Sequence, residues 1–391
     1  MKVVYSLPHP ADRLTSERSG HVVRANAVLD ALAEMGHDII RVEAAAAPSS
    51  QVAVSSYRRI IRKLMPRPIA MKMRDAGRVA YGKRFAARLI KEIEESLPDV
   101  ILETHIAFTL AGRIASETTG IPLILDDVSP AWEEEQQYGV GLKQLARSIH
   151  REVTEHASLL VAVNKTIHQY LIEEGLPPAK LVTIENGIDA RLFHPNVDGS
   201  VRRVEHGLGN DEIVIVFVGS FQPYHRVDLL LEAFAQIETG QPTHLLLVGE
   251  GRTTPACKAR ARELGLTGHV TFTGRIPYDQ VASYVAAGDI AIMPATNEYG
   301  NPMKVYEYMA MGKAVVAPNQ ETITDIATHG QDAYLFKPGS VPDMAEALET
   351  MCMNPALREE LGDRARILAA EHTWQKRAER LLEAIQERGL V

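Results

Sequence analysis

At 391 residues, 46% hydrophobic and 24% charged, the chain has the length and make-up of two globular domains, each able to bury a sizeable core. A net charge of −8 argues against a general nucleic-acid binder, and no apolar run approaches the roughly 18 residues that span a bilayer. Cys257 and Cys352 have no metal-type or disulfide-type spacing, which fits a reducing compartment.

The start, MKVVYSLPHP, has no apolar signal-peptide core and reads instead as a buried strand, so the expected location is the cytoplasm. Short apolar runs then alternate with amphipathic stretches, the pattern of repeated strand–helix units. Val3–Leu7, Asp38–Val42, Val100–Glu103, Leu123–Asp126, Leu159–Val163 and Leu181–Ile184 are predicted strands. Helical spacing runs over Val22–Met35 and stops at Gly36, a C-terminal cap signal. A polar connector with Pro195, Gly199 and Gly209 follows, and the alternation restarts. Ile213–Val218, His244–Val248, Val270–Thr273, Ile290–Met293 and Ala314–Ala317 are predicted strands of a second sheet, and the tail from Val341 to Arg388 is predicted helical. The expected architecture is α/β, two Rossmann-like doubly wound domains over 1–190 and 191–373, with the last helix, about 374–391, packing back on the first. Open parallel sheets bind ligands at the carboxyl ends of their strands, here expected to face a shared cleft.

Glu298–Ala310, EYGNPMKVYEYMA, follows the strand Ile290–Met293. Gly300 and Pro302 lead into a helix whose first turn offers unpaired N–H groups and a positive dipole end, which suit a diphosphate. Lys304 adds a cation, and Glu307, at i+3 from it, can accept from a ribose diol. The plainer reading is a surface loop with an i,i+3 ion pair.

These residues, with Gly312-Lys313-Ala314-Val315-Val316 after them, resemble family-four glycosyltransferases. So do Glu185-Asn186-Gly187-Ile188-Asp189 with Leu192-Phe193-His194-Pro195, Phe217-Val218-Gly219-Ser220, Leu247-Val248-Gly249-Glu250-Gly251, Phe272-Thr273-Gly274-Arg275-Ile276-Pro277, and the helix opening at Trp374. The resemblance extends across nearly the whole chain. It implies the GT-B fold and a retaining, metal-independent transfer of sugar from a nucleotide diphosphate, UDP favoured over GDP, with no cofactor. It also implies front-face attack, in which the departing diphosphate takes the acceptor's proton, and closure about Asn186–Asp189 and the final helix.

Carried onto matching positions, the resemblance puts Glu307 on the ribose and the backbone of Gly300, Asn301, Pro302, Met303 and Lys304 on the donor's sugar and diphosphate. Arg275 and Ile276 flank the base, while Gly219 and Gly249 stand at strand ends facing the nucleotide. Glu298 and Glu307 have eight residues between them where the family has seven, so either Glu298 or Tyr299 faces the sugar. Where the family has Arg and Lys, this chain has Ser220 and His225. Arg226 and, third in rank after Lys304, His225 are then the candidate cations for the diphosphate.

In the amino-terminal half, Ser16–Gly20 lies before the first helix, and Gly20 suits a helix start that meets a ligand. His105, after the predicted strand VILET, stands where the resemblance implies a histidine near the donor sugar, in a hydrogen bond with a sugar hydroxyl, or is a solvent-exposed loop histidine. Asp126, Asp127 and Ser129 either bind an acceptor hydroxyl or cap the helix near Trp132, and Glu133–Glu135 read as a solvated helix start. Tyr57–Lys91 carries twelve basic residues and one acid, Asp75, interleaved with apolar residues. Such a segment suits an anionic membrane surface or an anionic acceptor, or pairs with the acidic remainder of the molecule. The expected partners are a nucleotide sugar and a glycan, lipid-linked or small-molecule acceptor, with no nucleic acid and no metal. A UDP-sugar 2-epimerase of the same fold, or a non-catalytic sugar-nucleotide binder, is the competing reading.

Overall fold

The computed structural model describes residues 1–9, 14, 20–43, 66–126 and 139–391. These divide into two compact units, Met1–Ile184 with Ala378–Val391, and Glu185–Arg377.

The first unit runs β1 (Lys2–Leu7), α1 (Gly20–Glu34), β2 (Asp38–Glu43), α2 (Arg67–Ser96), β3 (Val100–Thr104), α3 (Ala111–Thr119), β4 (Leu123–Asp126), α4 (Lys143–His156), β5 (Leu159–Ala162), α5 (Lys165–Glu173) and β6 (Leu181–Thr183). Its strands form one parallel sheet in the order β2-β1-β3-β4-β5-β6. Every residue of β3, β4 and β5 is buried, which explains their near-continuous apolar sequences: helices cover both faces. The strand order reverses between β1 and β3, so the loops after these two strands flank the unit's topological switch point.

The second unit runs α6 (Ser200–Glu205), β7 (Ile213–Val218), α7 (Val227–Phe234), β8 (Thr243–Val248), α8 (Thr254–Glu263), β9 (Val270–Gly274), α9 (Val281–Ala287), β10 (Ile290–Ile292), α10 (Met303–Ala310), β11 (Ala314–Pro318), α11 (Glu321–Thr324), β12 (Tyr334–Phe336), α12 (Val341–Met353), α13 (Pro355–Ala369) and the start of α14 (Trp374–Glu387). Its sheet is parallel in the order β12-β11-β10-β7-β8-β9, with the switch point between β7 and β10. Along β7, Val214, Val216 and Val218 pack into the core on one face, and Ile215 and Phe217 into the core on the other.

Three local features depart from the sequence expectation. The connector around Gly199 holds α6, anchored by Arg203 Nη1 on the Ala287 carbonyl at 2.9 Å and by Arg202 over the Tyr284 ring at 4.7 Å. β12 is an added edge strand of three residues, too short to show a period. The helical tail is three helices, broken at Asn354-Pro355, where a proline disfavours helix in the residue before it, and again before Trp374.

Asp75 has a structural task in the first unit. It is fully buried on α2, in line with Gly82, Phe85, Ala86, Leu89 and Ile93. Its Oδ2 accepts from the Gly141 and Leu142 amides at 2.7 and 3.2 Å, just before α4, whose first turn has no side-chain cap of its own. Its Oδ1 takes Arg74 Nη2 at 2.8 Å. The one acid of the basic run thus caps one helix from the flank of another. The basic residues before position 66 lie outside the described residues; Arg67, Lys72, Lys83, Arg84, Arg88 and Lys91 are exposed on α2. No helix among the described residues is long and apolar enough to cross a membrane.

Asp75→Ala strands two amides, and is expected to lower unfolding stability by about 3 kcal/mol. Urea titration followed by circular dichroism measures this. A loss below ~1 kcal/mol would remove Asp75 from the capping role.

Candidate active site

At the second unit's switch point, the chain leaves β7 through Gly219 and leaves β10 through a loop into α10. Tyr308, fully buried on α10, joins the two: its hydroxyl accepts from the Val218 amide at 2.8 Å. Gly219 donates its own amide to the Val248 carbonyl at 2.9 Å. Two glycines crowd this turn, and the one at 249 is sterically required. A Cβ on Gly219 would lie 2.5 Å from Lys304 Nζ, and one on Gly249, at φ +118°, would lie 2.1 Å from the Gly219 carbonyl oxygen.

Lys304, in the first turn of α10, reaches back over β7. Its ammonium sits 4.9 Å above the centre of the Phe217 ring and donates to His225 Nε2 at 2.9 Å. His225 Nδ1 donates in turn to the Ser220 carbonyl, which fixes the tautomer and leaves Nε2 as an acceptor. Burial, reinforced by the Lys304 charge, holds the His225 imidazole well below its usual pKa. The expectation of a cation at position 225 is therefore corrected: His225 is a neutral acceptor that seats Lys304.

Burial also drives the Lys304 ammonium down to about 7, against an opposing pull from Glu307. Glu307, one turn further along the same helix, is pushed up to about 7 by burial, opposed by the Tyr278 hydroxyl that donates to its Oε1 at 2.9 Å and by Lys304. The surface ion pair of the plainer reading is not what forms: Glu307 is buried, Lys304 is half-buried, and each has its own partner from another element. The first turn of α10 has no side-chain cap, its preceding residue being Pro302, which leaves leading N–H groups available to a ligand. Lowered charge on an apolar-seated cation, beside open helix amides, is an arrangement poised to take up an anion.

The loop before α10 is held by polar clips. Asn301 Oδ1 accepts from the Asn186 amide at 2.9 Å, and Asn186 Nδ2 donates to the Asn301 carbonyl at 2.8 Å. Ile188 pairs in turn with the segment before α14, through Ile188 N to the His372 carbonyl at 2.9 Å. Asn301 Nδ2 also donates to the Tyr306 hydroxyl at 3.1 Å, so its side chain shapes the loop. Gly300 turns tightly beside Asn297, where a Cβ would lie 2.3 Å from Oδ1. Glu298 is exposed and Tyr299 buried. Arg226, in left-handed conformation, spends its guanidinium on Asp228 at 2.9 Å at the surface, and Arg275 faces Glu250 at 3.6 Å. Ile276 packs on the core's edge.

In the first unit, His105 follows β3 at the switch point and donates its backbone amide to the Asp126 carbonyl at 3.1 Å. Its ring meets His150 of α4 edge-on, centroids 5.0 Å apart. Desolvation, chiefly, lowers His105 to about 3 and His150 to about 4, with the His150 ring adding to the first and the Arg151 guanidinium to the second. Asp126 is buried with its Oδ1 on Arg24 Nη2 of α1 at 2.8 Å. Gly20 is the first residue of α1, at the same switch point. Asp127, Ser129, Trp132 and Glu133–Glu135 lie outside the described residues. Sequence reasoning gave no role to Tyr278, Tyr308, Phe217 or His150, because each acts through a contact between elements that no local spacing announces.

Two parallel doubly wound units, each with its functional residues at the switch point, define an α/β protein of the GT-B fold. Solved structures agree: HepE of Anabaena, in complex with UDP, superposes with a TM-score of 0.75 over 99% of this chain and 100% of that one, at 17% identity. The family model described as Glycosyltransferase Family 4 matches residues 18–192, and that described as Glycosyl transferases group 1 matches residues 200–368. A D-inositol 3-phosphate glycosyltransferase of Jonesia denitrificans is 28% identical over 330 residues, 81% of this chain and 77% of that one. An N-acetyl-alpha-D-glucosaminyl L-malate synthase of Bacillus anthracis is 26% identical over 213 residues, 54% of this chain and 55% of that one. The chain belongs to glycosyltransferase family four, and is a glycosyltransferase.

The buried carboxyl has a sign that can be checked. Glu307 holds a proton more firmly folded than unfolded, so its contribution to stability falls as pH rises from about 4.5 through about 7. Glu307→Gln is expected to remove that fall in the ligand-free protein. Melting temperatures across pH 4.5–8 test it, and parallel curves for both proteins would refute the burial-driven shift.

Proposed function

We propose that this enzyme is a retaining, metal-independent transferase that moves a hexosyl group from a UDP-sugar to a hydroxyl of a small anionic acceptor. The observation that carries the donor half is the Lys304 ammonium, seated on His225 and Phe217 in the first turn of α10. Breaking the anomeric C–O bond places negative charge on the departing diphosphate. Free helix amides and a partly desolvated ammonium stabilise that charge as it grows, and binding it returns Lys304 to full protonation. The diphosphate oxygen that gains charge then takes the proton of the attacking acceptor hydroxyl on the same face, so the configuration is kept. Glu307, held at Oε1 by Tyr278, receives the ribose diol through its carboxylate. His105 is the candidate for the hydrogen bond with a sugar hydroxyl, and Gly20 opens a helix whose start suits a ligand.

UDP is favoured because HepE of Anabaena has been solved with UDP and with UDP-glucose. An anionic acceptor is favoured because inositol 3-phosphate and L-malate, in the names of the two relatives, both combine hydroxyl with negative charge. Asp126, held by Arg24, and Asp127, outside the described residues, are the acceptor-side candidates. The cations of α2, with Ile69 and Met73 exposed beside them, suit a resting place on an anionic membrane at the cytoplasmic face.

Incubating the protein with UDP-sugars and a panel of hydroxylated phosphates and carboxylates, without added metal, tests the whole reading. Glu307→Ala is expected to weaken UDP binding about tenfold or more in calorimetry. Unchanged affinity would refute the ribose assignment. Lys304→Ala is expected to lower kcat about 100-fold while leaving the melting temperature within a few degrees. Full turnover in that variant would remove Lys304 from the diphosphate.

A further inference from the structure

His150 of α4 meets His105, the residue that follows β3, ring against ring. It is buried on α4, with Ile149 and Val153 buried beside it. The contact between the rings is His150 Nδ1 to His105 Nε2 at 3.3 Å. His150 Nε2 is sealed from solvent and has no hydrogen-bond partner among the described residues. His105 is less enclosed, and Nδ1, its remaining ring nitrogen, makes no hydrogen bond there.

Both rings are neutral at physiological pH, so each carries one proton, and one proton must lie on the line between them. Two bare nitrogens would repel, and two N–H groups would collide. The tautomers are therefore locked together. Either His105 Nε2–H donates, and His150 is left with a buried N–H that nothing accepts, or His150 Nδ1–H donates, and His150 is left with a bare nitrogen. Buried donors without acceptors are the rarer defect in folded proteins.

We propose that His150 is a positioning residue that donates from Nδ1 to His105 Nε2 and thereby holds His105 in its Nδ1–H tautomer, presenting a fixed hydrogen-bond donor to an oxygen of the bound nucleotide sugar. His105 then acts on the donor without exchanging a proton. The tautomer follows from the contact alone, whereas its use on a sugar oxygen rests on the proposed transferase reading.

The test uses the full chain labelled with 15N-histidine, with long-range proton–nitrogen spectra assigned through His105→Gln and His150→Asn. His105 and His150 are both expected as Nδ1–H tautomers in the wild type. His150→Asn keeps a donor near the place of Nδ1 and should preserve the His105 signature. His150→Leu removes it and should shift His105 toward Nε2–H, with kcat falling about tenfold and His150→Asn recovering most of that loss. Nε2–H tautomers on both rings of the wild type would overturn the proposal, as would a His105 signature unchanged by His150→Leu. Should the spectra behave as expected while neither variant alters turnover, the locked tautomer stands and the sugar contact of His105 fails. The wild-type and His150→Asn spectra decide the matter even where His150→Leu does not fold.

Discussion

An ammonium group withdrawn from water is costly, and the second unit is arranged around making that tolerable. Lys304 has an aromatic face beneath it, one imidazole nitrogen to receive its proton, and a carboxyl one helical turn away. Each of these demands something further. The imidazole must be neutral, so its other nitrogen is spent on a carbonyl. The ammonium must fit against the end of β7, so position 219 has no side chain. The carbonyl of Gly219 must then be cleared, so position 249 has none either. A charge buried this way is incompletely satisfied, and the remaining demand is the one the proposed diphosphate would meet.

The two units solve placement in the same way. In each, the reversal of strand order opens a gap between neighbouring strand ends, and the loops on either side carry the polar residues. The supporting contacts differ in character. The second unit uses hydrogen bonds between backbone and side-chain amides, such as the reciprocal pair of Asn186 and Asn301. The first uses buried charges, with Arg24 on Asp126 and Asp75 on the start of α4. Breaking one partner of such a pair leaves the other charge unmet, so these residues couple the site's shape to the stability of the unit.

The parallel strands were legible in the sequence because burial on both faces writes itself as uninterrupted Val, Ile and Leu. The first turn of α10 was legible too, since Gly, Pro, Lys and Glu at that spacing have few other joint uses. The limits of legibility are equally physical. His225 reads as a cation until the Ser220 carbonyl and the Lys304 ammonium are seen to occupy its two nitrogens. Arg226 reads as free until Asp228, two residues on, claims it. Asp75 reads as an exception in a basic run, and its partners lie 66 and 67 residues away. Sequence spacing reports what lies on one face of one element. It is silent on which partner from a distant element reaches that face first.

The division of the chain has a bearing on its birth. The second unit is inserted into the first: Leu381, Ala384 and Ile385 of α14 are buried, and Arg388 closes on the carbonyls of Ala179 and Leu181. During synthesis, the sheet that emerges first therefore waits for residues beyond Ala378, while the unit translated in between has everything it needs beforehand. The segment that completes the first unit is thus made after the whole of the second.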